Sequence, residues 1–263
     1  MDVRFPPIRT AYSPQQLPEG RRVGVYQGTS RALSLNQIEF RHFMEGGVGG
    51  EQVAYWMPTA QHVENIYALA RSVSQSDSPL VVDVGGANGF LGLLIAQKGA
   101  RVLSVDPDPR FLTEGYQHPN LRMVQGDSSW AVANFAGEAD LAILAWPPEE
   151  VDIIPDLFAL QARAVLLIFE PGRGYKIQTK PEGYDLSYGW AGPSQTDLRR
   201  IENEEGFYFG SNRFLGYRRA DQPPKELNPQ SSTPLPWELD LETNHRGSQR
   251  MLISAAQIQR INV

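Results

Sequence analysis

The sequence predicts an α/β protein built on a doubly wound, mostly parallel sheet with helices on both faces. Short apolar runs alternate with helical segments between residues 80 and 169, which is the pattern of parallel strands joined by crossover helices. The first apolar run, Leu80 to Val84, ends in a glycine-rich turn that leads into another apolar segment, as in a strand–turn–helix unit. We therefore expect a three-layer α/β/α core.

Composition places the chain among ordinary globular proteins and excludes several functional classes. Its 263 residues are 41% hydrophobic and 21% charged, which suits one large domain. A net charge of −6 argues against a nucleic-acid partner. Cysteine is absent, so disulfides, thiolate metal sites and thiol nucleophiles are excluded. The absence of cysteine suits a cytoplasmic protein, which is the expected location. No apolar run reaches about 18 residues, so no membrane span or membrane partner is expected.

Proline and glycine divide the chain into three regions. Residues 1–58 are rich in both and are predicted to be an N-terminal arm or cap, long enough to cover a site or to join a homodimer. Residues 59–219 carry the alternating pattern and form the predicted central domain. Residues 220–263 are predicted to be a C-terminal elaboration that completes the sheet, with candidate strands at 237–241 and 251–253.

The elements of the central domain follow from apolar spacing. Thr59 is expected to cap a helix on which apolar residues recur at helical intervals as far as Val73. Strands are predicted at five short apolar runs: Leu80 to Val84, Arg101 to Asp106, Leu121 to Val124, Leu141 to Ala145 and Ala164 to Phe169. Helices are predicted between them: Phe90 to Lys98, a short helix capped by Asp108, Trp130 to Phe135, and Asp156 to Ala162.

The alternating pattern loosens after Pro171. Residues 172–193 are rich in glycine and aromatics, which favours a loop that covers a substrate or packs on its own rings. Its rings belong to Tyr175, Tyr184, Tyr188 and Trp190. A helix at 194–204 and a strand or hairpin at 207–217 are expected to follow.

The turn after the first strand carries the strongest functional signal. It is Asp83-Val84-Gly85-Gly86-Ala87-Asn88-Gly89, and no G-x-G-x-x-G can be drawn through it, which argues against a nicotinamide or flavin dinucleotide. Further acids, Asp106 and Asp127, come at the ends of the second and third strands. Ligands of open parallel sheets bind at those ends. Taken alone, either of these acids is as readily explained as a helix N-cap.

In these features the chain resembles the class I S-adenosylmethionine-dependent methyltransferases. The resemblance covers residues 60–170 and implies S-adenosyl-L-methionine as cofactor. It implies that Asp83 orients the methionine ammonium, that Asp106 holds the ribose hydroxyls, and that Asp127 meets the adenine amino group. The further cofactor-binding positions it implies are Gly85, Gly86, Gly89 and Ser128.

The acceptor side departs from the resemblance. Residues 145–149 read Ala-Trp-Pro-Pro-Glu, where the branch that methylates amino groups has a polar residue before the two prolines and an aromatic after them. We therefore do not expect N6-adenine or glutamine methylation. Trp146 is either part of a rigid loop or a wall of the transfer pocket. Candidate proton acceptors are Glu170, otherwise a solvated strand-end acid, and His62, otherwise an exposed helix histidine.

The expected function is methyl transfer from S-adenosylmethionine to an oxygen or nitrogen of a small molecule or a peptide side chain. Alignment and exclusion of water would supply most of the catalysis. One alternative is RNA or protein methylation, because Pro147 and Pro148 are retained. Another is a non-catalytic binding subunit, because acid–base groups are few. No H-x-x-x-H or related spacing occurs, so no metal is predicted.

Overall fold

The computed structural model describes residues 4–13, 58–146, 152–169, 181–191 and 213–222. In these ranges the chain forms a seven-stranded sheet with helices packed on both faces. None of the helices in the described ranges has the length and apolar character needed to span a bilayer.

The elements alternate as the sequence predicts. The helices of the described chain are α1 (Ala60–Val73), α2 (Phe90–Gln97), α3 (Phe111–Glu114), α4 (Ser128–Phe135) and α5 (Ile154–Ala159). The strands are β1 (Leu80–Val84), β2 (Arg101–Asp106), β3 (Leu121–Gln125), β4 (Leu141–Ala145), β5 (Ala164–Phe169), β6 (Tyr184–Ala191) and β7 (Arg213–Arg219).

The sheet has the strand order β3-β2-β1-β4-β5-β7-β6. Strands β1 to β5 pair in parallel, whereas β7 runs antiparallel to both β5 and β6. The predicted doubly wound, mostly parallel sheet is therefore confirmed. The direction of winding reverses between β1 and β4, so the carboxyl ends of these two strands border the crevice where open sheets bind ligands.

Two cores explain why the parallel strands are continuous apolar runs. One face of the sheet packs against α1 and α2, whose side chains Ile66, Leu69 and Leu94 are almost fully buried. The other face packs against α4 and α5, where Phe135 and Leu157 are fully buried. Because both faces are covered, alternate residues of one strand enter different cores and nearly all of them must be apolar.

Most of the predicted elements occur, with small shifts at the helix ends. Thr59 caps α1 as predicted. The short helix after β2 begins at Phe111, later than expected, because the Asp108 carboxylate accepts a hydrogen bond from the Arg110 N–H (3.0 Å) and closes a turn ahead of it. The predicted strand at 207–217 overlaps β7. The predicted helix at 194–204 and the predicted strands at 237–241 and 251–253 lie outside the described residues.

The prediction of a loop over residues 184–191 was wrong. These residues form the edge strand β6, which pairs with β7. Tyr184 is buried rather than displayed to a substrate: its hydroxyl donates to the carbonyl of Ala162 (2.7 Å), and its ring packs edge-on against Phe158. Gly189 and a register shift between Leu186 and Tyr188 interrupt the strand pattern, and the pairing partner lies far along the chain, so local sequence does not reveal it.

The described part of the N-terminal arm, residues 4–13, is docked against α4. The side-chain oxygen of Asn134 accepts hydrogen bonds from the backbone N–H groups of Arg9 (2.7 Å) and Thr10 (2.9 Å). The indole N–H of Trp130 donates to the Thr10 carbonyl (2.9 Å). This part of the arm is therefore packed on the central domain.

Asp140 connects elements at the amino edge of the sheet. Its Oδ2 accepts hydrogen bonds from the Ser74 hydroxyl (2.9 Å) and the Leu80 N–H (2.9 Å), and Arg163 lies 3.3 Å from Oδ1. These contacts join the end of α1 and the start of β1 to the loop before β4. The residue is buried, so each lost bond would leave a donor without a partner.

Asp140→Ala should lower the free energy of unfolding by about 2–4 kcal/mol, because it removes two hydrogen bonds to a buried charged group. Urea unfolding followed by circular dichroism measures the loss. Glu138→Ala is the matched control, because its ion pair with Arg9 is exposed on both sides and should contribute under about 1 kcal/mol. Equal losses in the two variants would contradict the role assigned to Asp140.

Candidate functional site

Three polar side chains of β1 and β2 point toward the α1–α2 side of the sheet near its carboxyl edge. Asp83 pairs with Ser104 across the two strands, and Asp106 lies two residues beyond Ser104 on the same face. Asp83 is 1% exposed and Ser104 is fully buried. Among the described residues, neither Asp83 Oδ2 nor Ser104 Oγ has a hydrogen-bond partner.

The carboxyl group of Asp83 is therefore strongly perturbed. Burial raises its pKa to about 7, and the nearby charge of Asp106 acts in the same direction. A buried polar atom without a partner is costly, and such groups are concentrated at functional sites. A cation or hydrogen-bond donor placed beside Asp83 Oδ2 would remove that cost.

Asp106 is held at the end of β2 by backbone amides. Its Oδ2 accepts from the Ala87 N–H (3.0 Å), which ties the acid to the glycine turn, and its Oδ1 accepts from the Asp108 N–H (2.9 Å). Burial raises its pKa to about 6, although these two hydrogen bonds act against that rise. The carboxylate is thus fixed in position beside the turn.

The turn after β1 brings bare backbone over the buried polar pair. A Cβ at Gly86 would lie 2.0 Å from Ser104 Oγ and 2.7 Å from Asp83 Oδ2, so no side chain fits there. Gly85 and Gly89 have φ values of +72° and +78°, which favour glycine. The Gly85 N–H donates to the Val105 carbonyl (2.8 Å) and fixes the turn against β2.

Asp127 begins α4 at the end of β3. Its Oδ1 accepts hydrogen bonds from the Trp130 N–H (2.8 Å) and the Ser129 hydroxyl (2.9 Å), so it is the helix N-cap. The neighbouring Ser128 hydroxyl donates to Asp156 Oδ2 (2.5 Å). Because β3 is next to β2, Asp127 and Asp106 follow adjacent strand ends, and the Gly126 N–H donates to the Asp106 carbonyl (3.0 Å).

His62 helps to cap α1, a role that the sequence did not lead us to predict. Its Nδ1 accepts from the Thr59 N–H (3.1 Å), while its own N–H donates to Thr59 Oγ1 (3.1 Å), forming a reciprocal capping box. The side chain is buried, and its ring centroid lies 4.8 Å from that of Phe214. The alternative of an exposed histidine was therefore wrong. Burial lowers its pKa to about 4, which argues against a role as base.

Trp146 follows β4 and lies at the strand end next to the glycine turn, because β4 pairs with β1. Its φ is +50°, and its N–H donates to the Ile168 carbonyl (2.8 Å). Its side chain is half-buried and packs against the core that contains α1 and α2. Its role toward an acceptor stays a prediction. Glu170 and residues 147–150, with the two prolines, lie outside the described residues.

Ser104 is the site residue that sequence reasoning missed. It interrupts the apolar run Val102-Leu103-Ser104-Val105 of a strand that is buried on both faces. A single serine is common in strands, so the sequence alone does not mark it as a site residue; its position beside Asp83 in the sheet register does.

No group of three or more potential metal ligands occurs within the described ranges.

Comparison with known proteins gives structural matches alone. No protein-family model matches the chain, and no curated protein sequence matches it either. Magnesium protoporphyrin IX methyltransferase from Synechocystis PCC 6803, solved with bound S-adenosylmethionine, is 21% identical, and the match covers 72% of this chain and 99% of that one (TM-score 0.43). A TehB-like S-adenosylmethionine-dependent methyltransferase from Corynebacterium glutamicum is 16% identical over 65% of this chain and 90% of its own (TM-score 0.40).

A third match spans less than half of its structure. A proposed methyltransferase from an antibiotic biosynthesis pathway of Anabaena variabilis is 19% identical over 43% of this chain and 46% of its own (TM-score 0.37). The fold assignment rests on the sheet itself. The order β3-β2-β1-β4-β5-β7-β6, with β7 antiparallel, is that of the class I S-adenosylmethionine-dependent methyltransferase fold, and this chain has that fold.

Gly86→Ala should disturb the site directly, because the new Cβ overlaps Ser104 Oγ and Asp83 Oδ2. We expect a loss of about 1–3 kcal/mol in the free energy of unfolding, the range for overpacking, measured by urea titration. The double variant Gly86→Ala with Ser104→Ala should recover part of the loss, because the closest contact is removed. Gly137→Ala offers a contrasting position, since a Cβ there meets nothing within 4 Å and only its φ of +79° opposes it. No recovery in the double variant would contradict the proposed overlap.

Asp83→Asn should stabilise the protein at pH 8 by about 4 kcal/mol and leave it unchanged near pH 3, because each unit of pKa difference corresponds to about 1.4 kcal/mol. The reason is that the folded pKa of about 7 lies above the ordinary value of 3.8, so the folded state binds the proton more tightly. Wild-type stability should consequently fall as the pH rises from about 4 to about 7, and the variant should lose the part of this fall that Asp83 contributes, while Asp106, whose pKa is also raised, keeps its own part.

Urea unfolding of both proteins between pH 3 and pH 8 measures the difference. Asp77→Asn is the control, because it makes the same chemical change at a fully exposed side chain. An identical pH dependence in the wild type and in Asp83→Asn would show that Asp83 is not the perturbed group.

Proposed function

We propose that this chain binds S-adenosyl-L-methionine at the carboxyl edge of β1, β2 and β3 and transfers its methyl group to a small molecule or a peptide side chain. The observation that carries the proposal is the buried Oδ2 of Asp83, which has no hydrogen-bond partner within the described ranges and lies beneath a turn that excludes any side chain at Gly86. In this fold that position suits a ligand that brings a positive charge against bare backbone, as the methionine ammonium would, directly or through water.

The remaining acids fit the other parts of the cofactor. A carboxylate accepts hydrogen bonds from two hydroxyls at once, so Asp106 would hold the ribose diol. Asp127 would accept a hydrogen bond from the adenine amino group. Its helix cap uses Oδ1, and a carboxylate has further acceptor sites for a ligand. Gly85, Gly86 and Gly89 would let the ligand approach the backbone closely.

The chemistry needs little beyond placement. The bound cofactor would supply a methyl group on a sulfonium centre, and the acceptor atom would take the methyl group while the sulfur keeps the bonding electrons. The protein would align the two and exclude water, with Trp146 as one wall of the acceptor side. Glu170 is the proposed proton acceptor for a hydroxyl substrate, since His62 is engaged in the capping box of α1.

A second candidate is a methyltransferase-fold protein that binds the cofactor or a partner without catalysis. The engagement of His62 favours it, because one of the two proposed bases is then removed. Transfer of a labelled methyl group to any acceptor in a panel of small molecules and peptides would exclude this candidate. Cofactor binding with no transfer to any of them would favour it.

Isothermal calorimetry with S-adenosylmethionine and its demethylated product S-adenosylhomocysteine tests the binding step. We expect micromolar affinity for both and no binding of NAD. Asp106→Ala should weaken binding by about 1–3 kcal/mol, the range for hydrogen bonds to a charged group.

Asp108→Ala is the matched control for that variant, because Asp108 lies two residues away and its side chain pairs with Arg110 at the surface. It should bind as the wild type does. The proposal fails if the wild type binds neither ligand below the millimolar range. Equal affinity in the Asp106 and Asp108 variants would remove Asp106 from the site.

A further inference from the structure

The docked segment of the arm, residues 4–13, runs along α4 toward the carboxyl edge of the sheet. At its start, Arg101 Nη1 at the beginning of β2 donates to the Arg4 carbonyl (2.6 Å). Further on, Thr10 contacts Asn134 in the last turn of α4 and Trp130 in the first turn. Since α4 begins at the carboxyl edge, the segment runs from the amino edge of the sheet toward the carboxyl edge.

Asn134 makes this docking specific. Its side chain is fully buried, and its amide makes four hydrogen bonds. Three of them go to the segment: Oδ1 accepts from two backbone N–H groups, and Nδ2 donates to Thr10 Oγ1 (2.9 Å). The fourth goes to the Trp130 carbonyl (2.9 Å). A buried amide without the segment would lose most of its partners, so the contact is part of the folded domain.

Tyr12 lies two residues beyond Thr10 in the docked segment, and its ring lies beside the first turn of α4. Its ring packs edge-on against Trp130, with 6.3 Å between the ring centroids and 81° between the planes. Trp130 is the residue whose N–H is capped by Asp127. Burial raises the pKa of Tyr12, and the charges of Asp127 and Asp106 act in the same direction, so the phenol lies within the field of both carboxylates.

We infer that Tyr12 forms one wall of the nucleoside pocket, with its ring against the adenosine of the cofactor, and that the docked segment belongs to the cofactor site. The inference rests on the proposed function, which assigns Asp127 to adenine and Asp106 to ribose. An aromatic ring adds a flat apolar surface that suits a purine, and contacts between aromatic side chains and bases stabilise binding. Because the half-buried ring already packs on Trp130, its position is set before the ligand arrives.

A consequence is reciprocal coupling between the ligand and the segment. If the adenosine contacts Tyr12, bound cofactor must stabilise the docked segment by the same free energy that the docked segment contributes to binding. The amides of Arg9 and Thr10 report on docking, because both donate to Asn134 Oδ1.

Calorimetry with S-adenosylhomocysteine tests the ring contact. Tyr12→Ala should weaken binding about 10- to 100-fold, and Tyr12→Phe should stay within about threefold of the wild type. Arg9→Gln is the control from the same segment, because its exposed side chain pairs with Glu138 and it keeps the backbone donor to Asn134. It should bind within about twofold of the wild type. Thermal melts verify that each variant is folded.

Hydrogen exchange with and without saturating S-adenosylhomocysteine tests the coupling. The amides of Arg9 and Thr10 should exchange at least fivefold more slowly in the complex, and Tyr12→Ala should abolish this change. The inference is overturned if the wild type binds while Tyr12→Ala binds equally well, if Tyr12→Phe loses as much as Tyr12→Ala, or if the two amides are unaffected by the ligand. A wild type that does not bind at all instead overturns the proposed function, and the inference with it.

Discussion

One buried carboxylate in the central strand organises the site. Asp83 lies in β1 between two parallel neighbours, 1% exposed, with one oxygen that has no partner among the described residues. The turn above it must be glycine at position 86, because Ser104 and Asp83 already occupy the space of a side chain. A charge in that place costs folding energy, and the fold tolerates it because both faces of the sheet carry extensive apolar cores.

The same edge gathers the other polar features. Parallel strands end at one edge, so Asp106 and Asp127, separated along the chain, follow neighbouring strand ends. Asp106 is held by the turn amide of Ala87, and Asp127 is held by the first turn of α4. The docked segment adds Tyr12 to this group through contacts with the same helix. This edge thus combines glycines at positive φ with two carboxyl groups whose pKa values are raised, and perturbed carboxyl groups of this kind are typical of ligand sites.

Local patterns were sufficient to locate β1 to β5 and to place the three acids in or just after strands, because buried parallel strands are apolar runs and their ends are marked by glycine or acid. The roles of these acids toward a cofactor stay predictions. They failed where the cause lies elsewhere in the chain. The strand β6 depends on pairing with β7, the docking of residues 4–13 depends on Asn134, and the importance of Ser104 depends on its register beside Asp83. The sequence identified Thr59 as a helix cap but not His62 as its partner. In a capping box the side chain that accepts from the N-cap N–H is usually Glu or Gln, whereas here it is histidine.

The central claim is that the carboxyl edge of β1, β2 and β3 is a cofactor site built around Asp83. A crystal structure of the protein with S-adenosylhomocysteine tests it most directly. The account predicts ribose hydroxyls within hydrogen-bond distance of the Asp106 carboxylate, the adenine between Asp127 and the ring of Tyr12, and the ammonium near Asp83, directly or through one water. A ligand bound at another edge of the sheet, or with its ribose away from Asp106, would contradict the account.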